Sequence, residues 1–172
     1  MIKLLGVLLL MLGSVGFSAS LCGEKKKQRM QLMEMKRMFL IIQEDIRYSG
    51  LTMPLILQKT AKKMKEPFGR TLLEISNILS NNDGMQLSEV WETEMTSLIK
   101  DFSLSKKQQE LLLAFPKSLG FWEREGQAKA LSFYIEEIDK WIIQLEMEEK
   151  DKNKVIMSLG TAAGILLSVL LL

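Results

Sequence analysis

Apolar residues return at steps of three and four along most of the chain. Leu32, Met35, Phe39, Ile42 and Ile46 make one such stripe, and Ala128, Leu131, Ile135, Ile138, Ile142 and Leu145 make a second. Steps of that kind keep side chains on one face of a helix, so each stripe predicts a helix with one buried side. Punctuation divides the stretch between them. "YSGLTMP" closes the first helix, with Thr52 as a candidate N-cap and Pro54 in a position a first turn tolerates. Pro67 stops the next, because the residue before a proline is driven out of helical geometry. "SNNDG" ends a third, and "QLSEVWETEMTSLI" starts afresh. Ser105 and Gln108 form a capping-box pattern ahead of "KKQQELLLAF", a helix that Pro116 and Gly120 are expected to end. No stretch alternates with period two, so strands have no support. The pattern predicts an all-α fold, an antiparallel bundle of five or six helices on short connections.

The pattern changes at both ends. Residues 4–23 and 155–172 carry no charge at all. A helix of 18 residues rises roughly 27 Å, close to the ~30 Å hydrocarbon core of a bilayer, so each segment is long enough to span. The first also fits a secretory signal: Lys3, then "LLGVLLLMLG", then the small-residue run "SVGFSAS". Cys22 offers a lipid-anchored variant of that reading, in which an exported helical protein is held through its cysteine; Leu21 is larger than such a site prefers. Charge decides between them. Lys25, Lys26, Lys27 and Arg29 follow the first segment, and Lys150, Lys152 and Lys154 precede the second. Cations flanking spans favour the cytoplasmic side, so both inner flanks expect residues 24–154 to be a cytoplasmic domain between two retained spans. Small residues within the spans (Gly16 and Ser20 in the first; Gly160, Gly164 and Ser168 in the second) lie four apart, the spacing that lets helices approach closely in lipid. No Pro or Gly falls between Gly126 and Gly160, so the last domain helix is expected to run on into the second span.

Composition then removes whole classes of function. The net charge is only +2, too small for a surface that tracks nucleic-acid phosphates. With no His and a single Cys, the chain lacks a Ser-His-Asp or Cys-His dyad and an intrachain disulfide. Neither a phosphate-cradling Gly-rich loop nor a dinucleotide fingerprint is present, and no cofactor is expected. The acidic runs Glu136, Glu137, Asp139 and Glu146, Glu148, Glu149 read as a solvated helix face rather than as acid–base or metal chemistry. Met30, Met33, Met35 and Met38, all on the first helix, read as core filler. An enzyme is not expected.

"EDIRYSG", "LSEVWE", "SLGFWEREGQAKAL" and the terminal "SLGTAAGILLSVLLL" resemble the stage III sporulation protein AB family of endospore-forming bacteria. The resemblance runs the full length, through Ile46 and Tyr48, Pro67-Phe68, Trp91, Leu119-Gly120, Gln127 and Leu159-Gly160. Glu123 stands where the family has Asp, which keeps the charge, and "GLTMP" is a looser form of the family's Thr-Pro-Leu turn. The resemblance implies a soluble domain like that of the inner-membrane platform proteins of type II secretion and type IV pilus systems. It also implies a non-enzymatic role in the mother-cell channel apparatus, at the outer forespore membrane. A cytoplasmic ATPase and polytopic membrane subunits would be its partners, and self-association is open. Within it, "LGFWEREGQ" is the expected contact. Trp122, Glu123, Arg124 and Gln127 combine an aromatic anchor with charged and amide groups, a composition typical of interface hot spots. The competing reading makes Gly120 a helix C-cap, Glu123 a helix-capping charge and Trp122 a core residue.

Overall fold

The computed structural model describes the backbone of residues 2–81, 84–120 and 123–171, and the side chains of 23–81, 84–120, 123–151 and 155. Six helices follow one another: α1 (Ile2–Tyr48), α2 (Met53–Ala61), α3 (Phe68–Asn81), α4 (Leu87–Ile99), α5 (Lys106–Leu119) and α6 (Arg124–Leu171). No strand occurs among the described residues. Each helix packs on the next, and α6 packs back on α1, so the six close into a ring around one core. Both expected stripes face that core: Leu32, Met35, Phe39, Ile42 and Ile46 are buried, as are Ala128, Leu131, Ile138, Ile142 and Leu145, with Ile135 partly covered.

An aromatic cluster joins four of the six helices. Phe115 of α5 lies 4.7 Å from Trp91 of α4 and 5.2 Å from Phe39 of α1, and Tyr134 of α6 lies 5.5 Å from Phe39. Tilted contacts at these separations add to the hydrophobic gain of burying the rings.

Ser105 and Gln108 form the expected capping box, each side chain bonded to the other's backbone. Gly120 is the C-cap of α5 at φ 42°, a backbone angle that a residue with Cβ rarely takes. Thr52 stands at the N-cap of α2 but makes no side-chain cap bond. One expectation fails here. Pro116 does not help end α5; it lies inside the helix and is buried. A proline in mid-helix has no N–H, so the carbonyl four residues back loses its donor. That carbonyl belongs to Leu112, and the buried Trp91 indole Nε1–H donates to it at 2.9 Å. The indole from α4 replaces the missing bond and lets α5 continue to Leu119. Trp91→Phe keeps a ring but leaves this buried carbonyl without a donor, so it is expected to cost ~1–3 kcal/mol, read as a lower urea midpoint at unchanged m. An unchanged midpoint would show that the carbonyl finds another partner.

α1 and α6 are each single helices that run from the bundle into the apolar segments, α1 over 47 residues and α6 over 48. Cross-helix bonds fix their pairing. Arg29 with Glu146, Lys36 with Asp139 and Gln43 with Ser132 are joined by side chains, and each pair of residue numbers adds to 175. The pairing is therefore antiparallel and in constant register. Lys25 reaches Glu148 at 2.9 Å, and Arg29 also reaches Glu149 at 3.6 Å. Glu137 pairs with Lys140 of its own helix and with Lys107 of α5. The acidic runs of α6 are thus largely ion-pair partners and not a merely solvated face, which corrects the expectation from sequence. Among the described residues no helix is long and apolar enough to cross a membrane. Apart from Gly23 and Val155, the expected spans, with Gly16, Ser20, Cys22, Gly160, Gly164 and Ser168, lie outside the described side chains.

Candidate functional site

The antiparallel register sends the two ends of the α1–α6 pair in opposite directions. Gly23 and Asp151 lie where both helices leave the bundle; Tyr48 and Arg124 lie at the other end, about 37 Å away along α1 at ~1.5 Å per residue. Three of the four expected contact residues fall at this far end. Glu123 and Arg124 are exposed and Gln127 is half-buried, with its backbone N–H donating to the Glu123 carbonyl at 3.0 Å. Glu123 therefore sits at the N-terminus of α6, where its charge complements the helix dipole as the competing reading expected. Its side chain still faces solvent. Trp122 lies outside the described residues.

Sequence reasoning missed the other half of the surface. Arg47 and Tyr48, the last residues of α1, border the same hollow as Arg124 and Glu125, a concavity of about 580 Å³. Tyr48 is 76% exposed, unusual for an aromatic side chain, and the Arg47 guanidinium lies 5.9 Å from its ring centre. Gly50 follows at φ 66°, and a Cβ there would stand 3.4 Å from Nη1 of Arg124. The positive φ is what calls for glycine at this turn; the guanidinium stands beside it at ordinary contact distance. Just inside, Gln43 donates to the Ala128 carbonyl at 2.6 Å and to Ser132 Oγ at 2.8 Å, which locks the end of α1 to the start of α6.

The arrangement suits recognition. Two guanidinium groups, an exposed phenol and two exposed carboxylates offer paired charges and a flat ring, held on the ends of two rigid helices. The signal in the sequence was the pair of motifs "EDIRYSG" and "LGFWEREGQ", nearly 75 residues apart. Their meeting follows only once the first and last helices are known to run antiparallel.

Comparison with known proteins agrees with this architecture. A solved structure of a stage III sporulation protein AB superposes with a TM-score of 0.65 at 18% identity, covering 73% of this chain and 98% of that one, a likeness of fold. Stage III sporulation protein AB of Bacillus subtilis (strain 168) is 23% identical over 172 residues, all of both chains. The family described as Stage III sporulation protein AB matches residues 3–172. The chain therefore belongs to the stage III sporulation protein AB family, a family of structural proteins with a role in sporulation and not a known enzyme family.

Proposed function

We propose that this chain is a membrane-anchored platform of the mother-cell sporulation channel, which does no chemistry and links a cytoplasmic ATPase to subunits within the membrane. One observation carries the reading: α1 and α6 leave the bundle side by side at one end, and the recognition surface lies at the other. Residues 4–23 and 155–172 then form two spans in the outer forespore membrane, with 24–154 in the mother-cell cytoplasm. The Lys/Arg residues at both inner flanks support that orientation even though Lys25 and Arg29 are ion-paired, because the orientation rule counts cations and not net charge. The far end, Arg47, Tyr48, Glu123, Arg124 and Gln127, faces away from the bilayer, where a soluble partner can reach it. Gly16, Ser20, Gly160, Gly164 and Ser168 supply packing faces within the membrane.

Reporter fusions placed after Gly84 and after Leu172 test the topology. The first is expected to report from the cytoplasm and the second from across the membrane. Export of the Gly84 fusion would replace this reading by the lipid-anchored one, for which a mature N-terminus at Cys22 is the signature. The contact is tested separately. Glu123→Ala with Gln127→Ala is expected to leave helicity and melting unchanged while weakening binding of the ATPase partner about tenfold or more, as truncation at a hot spot does. A double variant that unfolds would assign these residues to structure.

A further inference from the structure

Among the described residues, seven of the large apolar side chains left exposed by the fold lie on α1 and α6, outside their terminal turns. On α1 these are Met30, Met33 and Leu40, exposed by 43–53%; on α6 they include Phe133, Ile143 and Met147, exposed by 50–61%. Met30 and Met33 are therefore not core filler, unlike Met35 and Met38, which are fully buried. On α1 they belong to an exposed row that steps by four and three, from Lys26 through Arg37 to Glu44. On α6 the exposed row runs from Lys129 through Glu136 and Lys140 to Met147 with the same steps.

The two rows share one side of the helix pair. Arg29, Lys36 and Gln43 of α1 bond to α6, and the exposed Met30, Arg37 and Glu44 each follow one residue later. Ser132, Asp139 and Glu146 of α6 bond to α1, and the exposed Phe133, Lys140 and Met147 again follow one residue later. One residue is a turn of about 100°, in the same sense on both helices. Because the helices are antiparallel, equal turns bring both rows to the same side. The core-facing stripes occupy the other.

We propose that this outer α1–α6 face is the contact between two copies of the chain, related by a two-fold axis parallel to the helices. The axis direction rests on the two-span reading: a two-fold across the helices would put the anchors at opposite ends, whereas one along them keeps all spans in one membrane. Under this axis, α1 of each copy meets α6 of the other at equal height, where residue numbers again add to about 175. Apolar then meets apolar: Met33 with Ile143 of the second copy, Met30 with Met147 and Leu40 with Phe133. Charge meets its opposite at two heights: Arg37 faces Glu136 and Glu44 faces Lys129, each within two residues, or about 3 Å, of level, while Lys26 lies between the exposed Lys150 and Asp151. Lys140, also near the height of Arg37, is turned to Glu137 at 3.1 Å. An isologous contact requires this self-complementarity. The face measures roughly 27 Å by 20 Å, so two copies bury on the order of 1,100 Å², above the ~1,000 Å² that a specific interface needs.

The test uses the full-length chain, carrying two different tags and co-expressed in membranes. Wild-type copies are expected to capture one another. Arg37→Glu with itself, and Glu136→Arg with itself, place like charges across the axis twice, and capture is expected to fall at least tenfold. Arg37→Glu mixed with Glu136→Arg restores both opposite pairs, so the mixture is expected to recover most of the wild-type capture. A contact within one chain cannot be repaired by mixing, nor can a misfolded variant. Failure of the mixture to recover, or absence of wild-type self-capture, overturns the proposal. Loss of a different membrane protein from Ile143→Glu, with no self-capture by the wild type, would assign the face to that protein and overturn it equally. The swap reads the face and the fusions read the topology, so either idea can fail without the other.

Discussion

Phe115→Ala is expected to destabilise the bundle by about 3–5 kcal/mol, at the top of the range for a truncation in a packed core. The ring is fully buried and touches the rings of Phe39 and Trp91, so its removal takes contacts from α1, α4 and α5 together. Domains of this kind are stable by ~5–15 kcal/mol, so such a loss shifts a large share of the whole. The neighbours are aromatic and rigid and sit in a closed ring of helices, which limits how far the cavity can collapse. Phe115→Leu fills most of the space and is expected to lose only about 1–2 kcal/mol. Urea unfolding of both variants decides it. If the two midpoints coincide, the site relaxes freely and Phe115 is not the hub that its contacts indicate.

Lys59→Met is expected to cost about 2–3 kcal/mol, because it strands a buried carboxylate. Asp45 on α1 is 5% exposed; its Oδ1 accepts from the Lys59 Nζ of α2 at 2.5 Å. Its Oδ2 is buried and has no hydrogen-bond partner. Lys59 itself is 45% exposed, and water reaching that side holds the cost below that of a fully buried pair. Adding Asp45→Leu removes the stranded charge, and the double variant is expected to regain most of the stability. A double variant less stable than Lys59→Met alone would mean that the carboxylate has an independent structural role. Recovery in the double variant would make the salt bridge a device for placing α2 against α1 and a weak source of net stability.

What could be read in advance depended on how far apart the cooperating groups are. The two buried stripes, the Ser105–Gln108 box and the Gly120 cap are local patterns, governed by helix geometry within a few residues, and they stand as expected. The role of Pro116 was not local. Whether a proline ends a helix depends on what happens to the freed carbonyl, and here the answer sits 21 residues away on Trp91. Met30 and Met33 could not be told from Met35 and Met38 by spacing, because α1 has apolar residues on two sides and only the packing shows which side is covered. The candidate site was half legible for the same reason. Glu123, Arg124 and Gln127 stand in one short motif, whereas Arg47 and Tyr48 join them only through the register of α1 against α6.

That register also sets the order in which the chain can complete itself. α1 is made first, and its partner residues on α6 follow 85 to 123 positions later, from Gln43 with Ala128 to Lys25 with Glu148. At roughly 5–20 residues per second, a ribosome takes on the order of 5–20 s to supply them. Throughout that interval Gln43, Lys36 and Arg29 lack their partners, and the core-facing side of α1 can be covered only by the short helices α2 to α5. Contacts so distant in sequence also form slowly once available, since a long loop must be ordered before any gain is made. The ring closes last at its best-paired seam. A variant weakened anywhere in the ring therefore meets its greatest exposure to proteases and aggregation during synthesis, before the final helix has emerged to seal it.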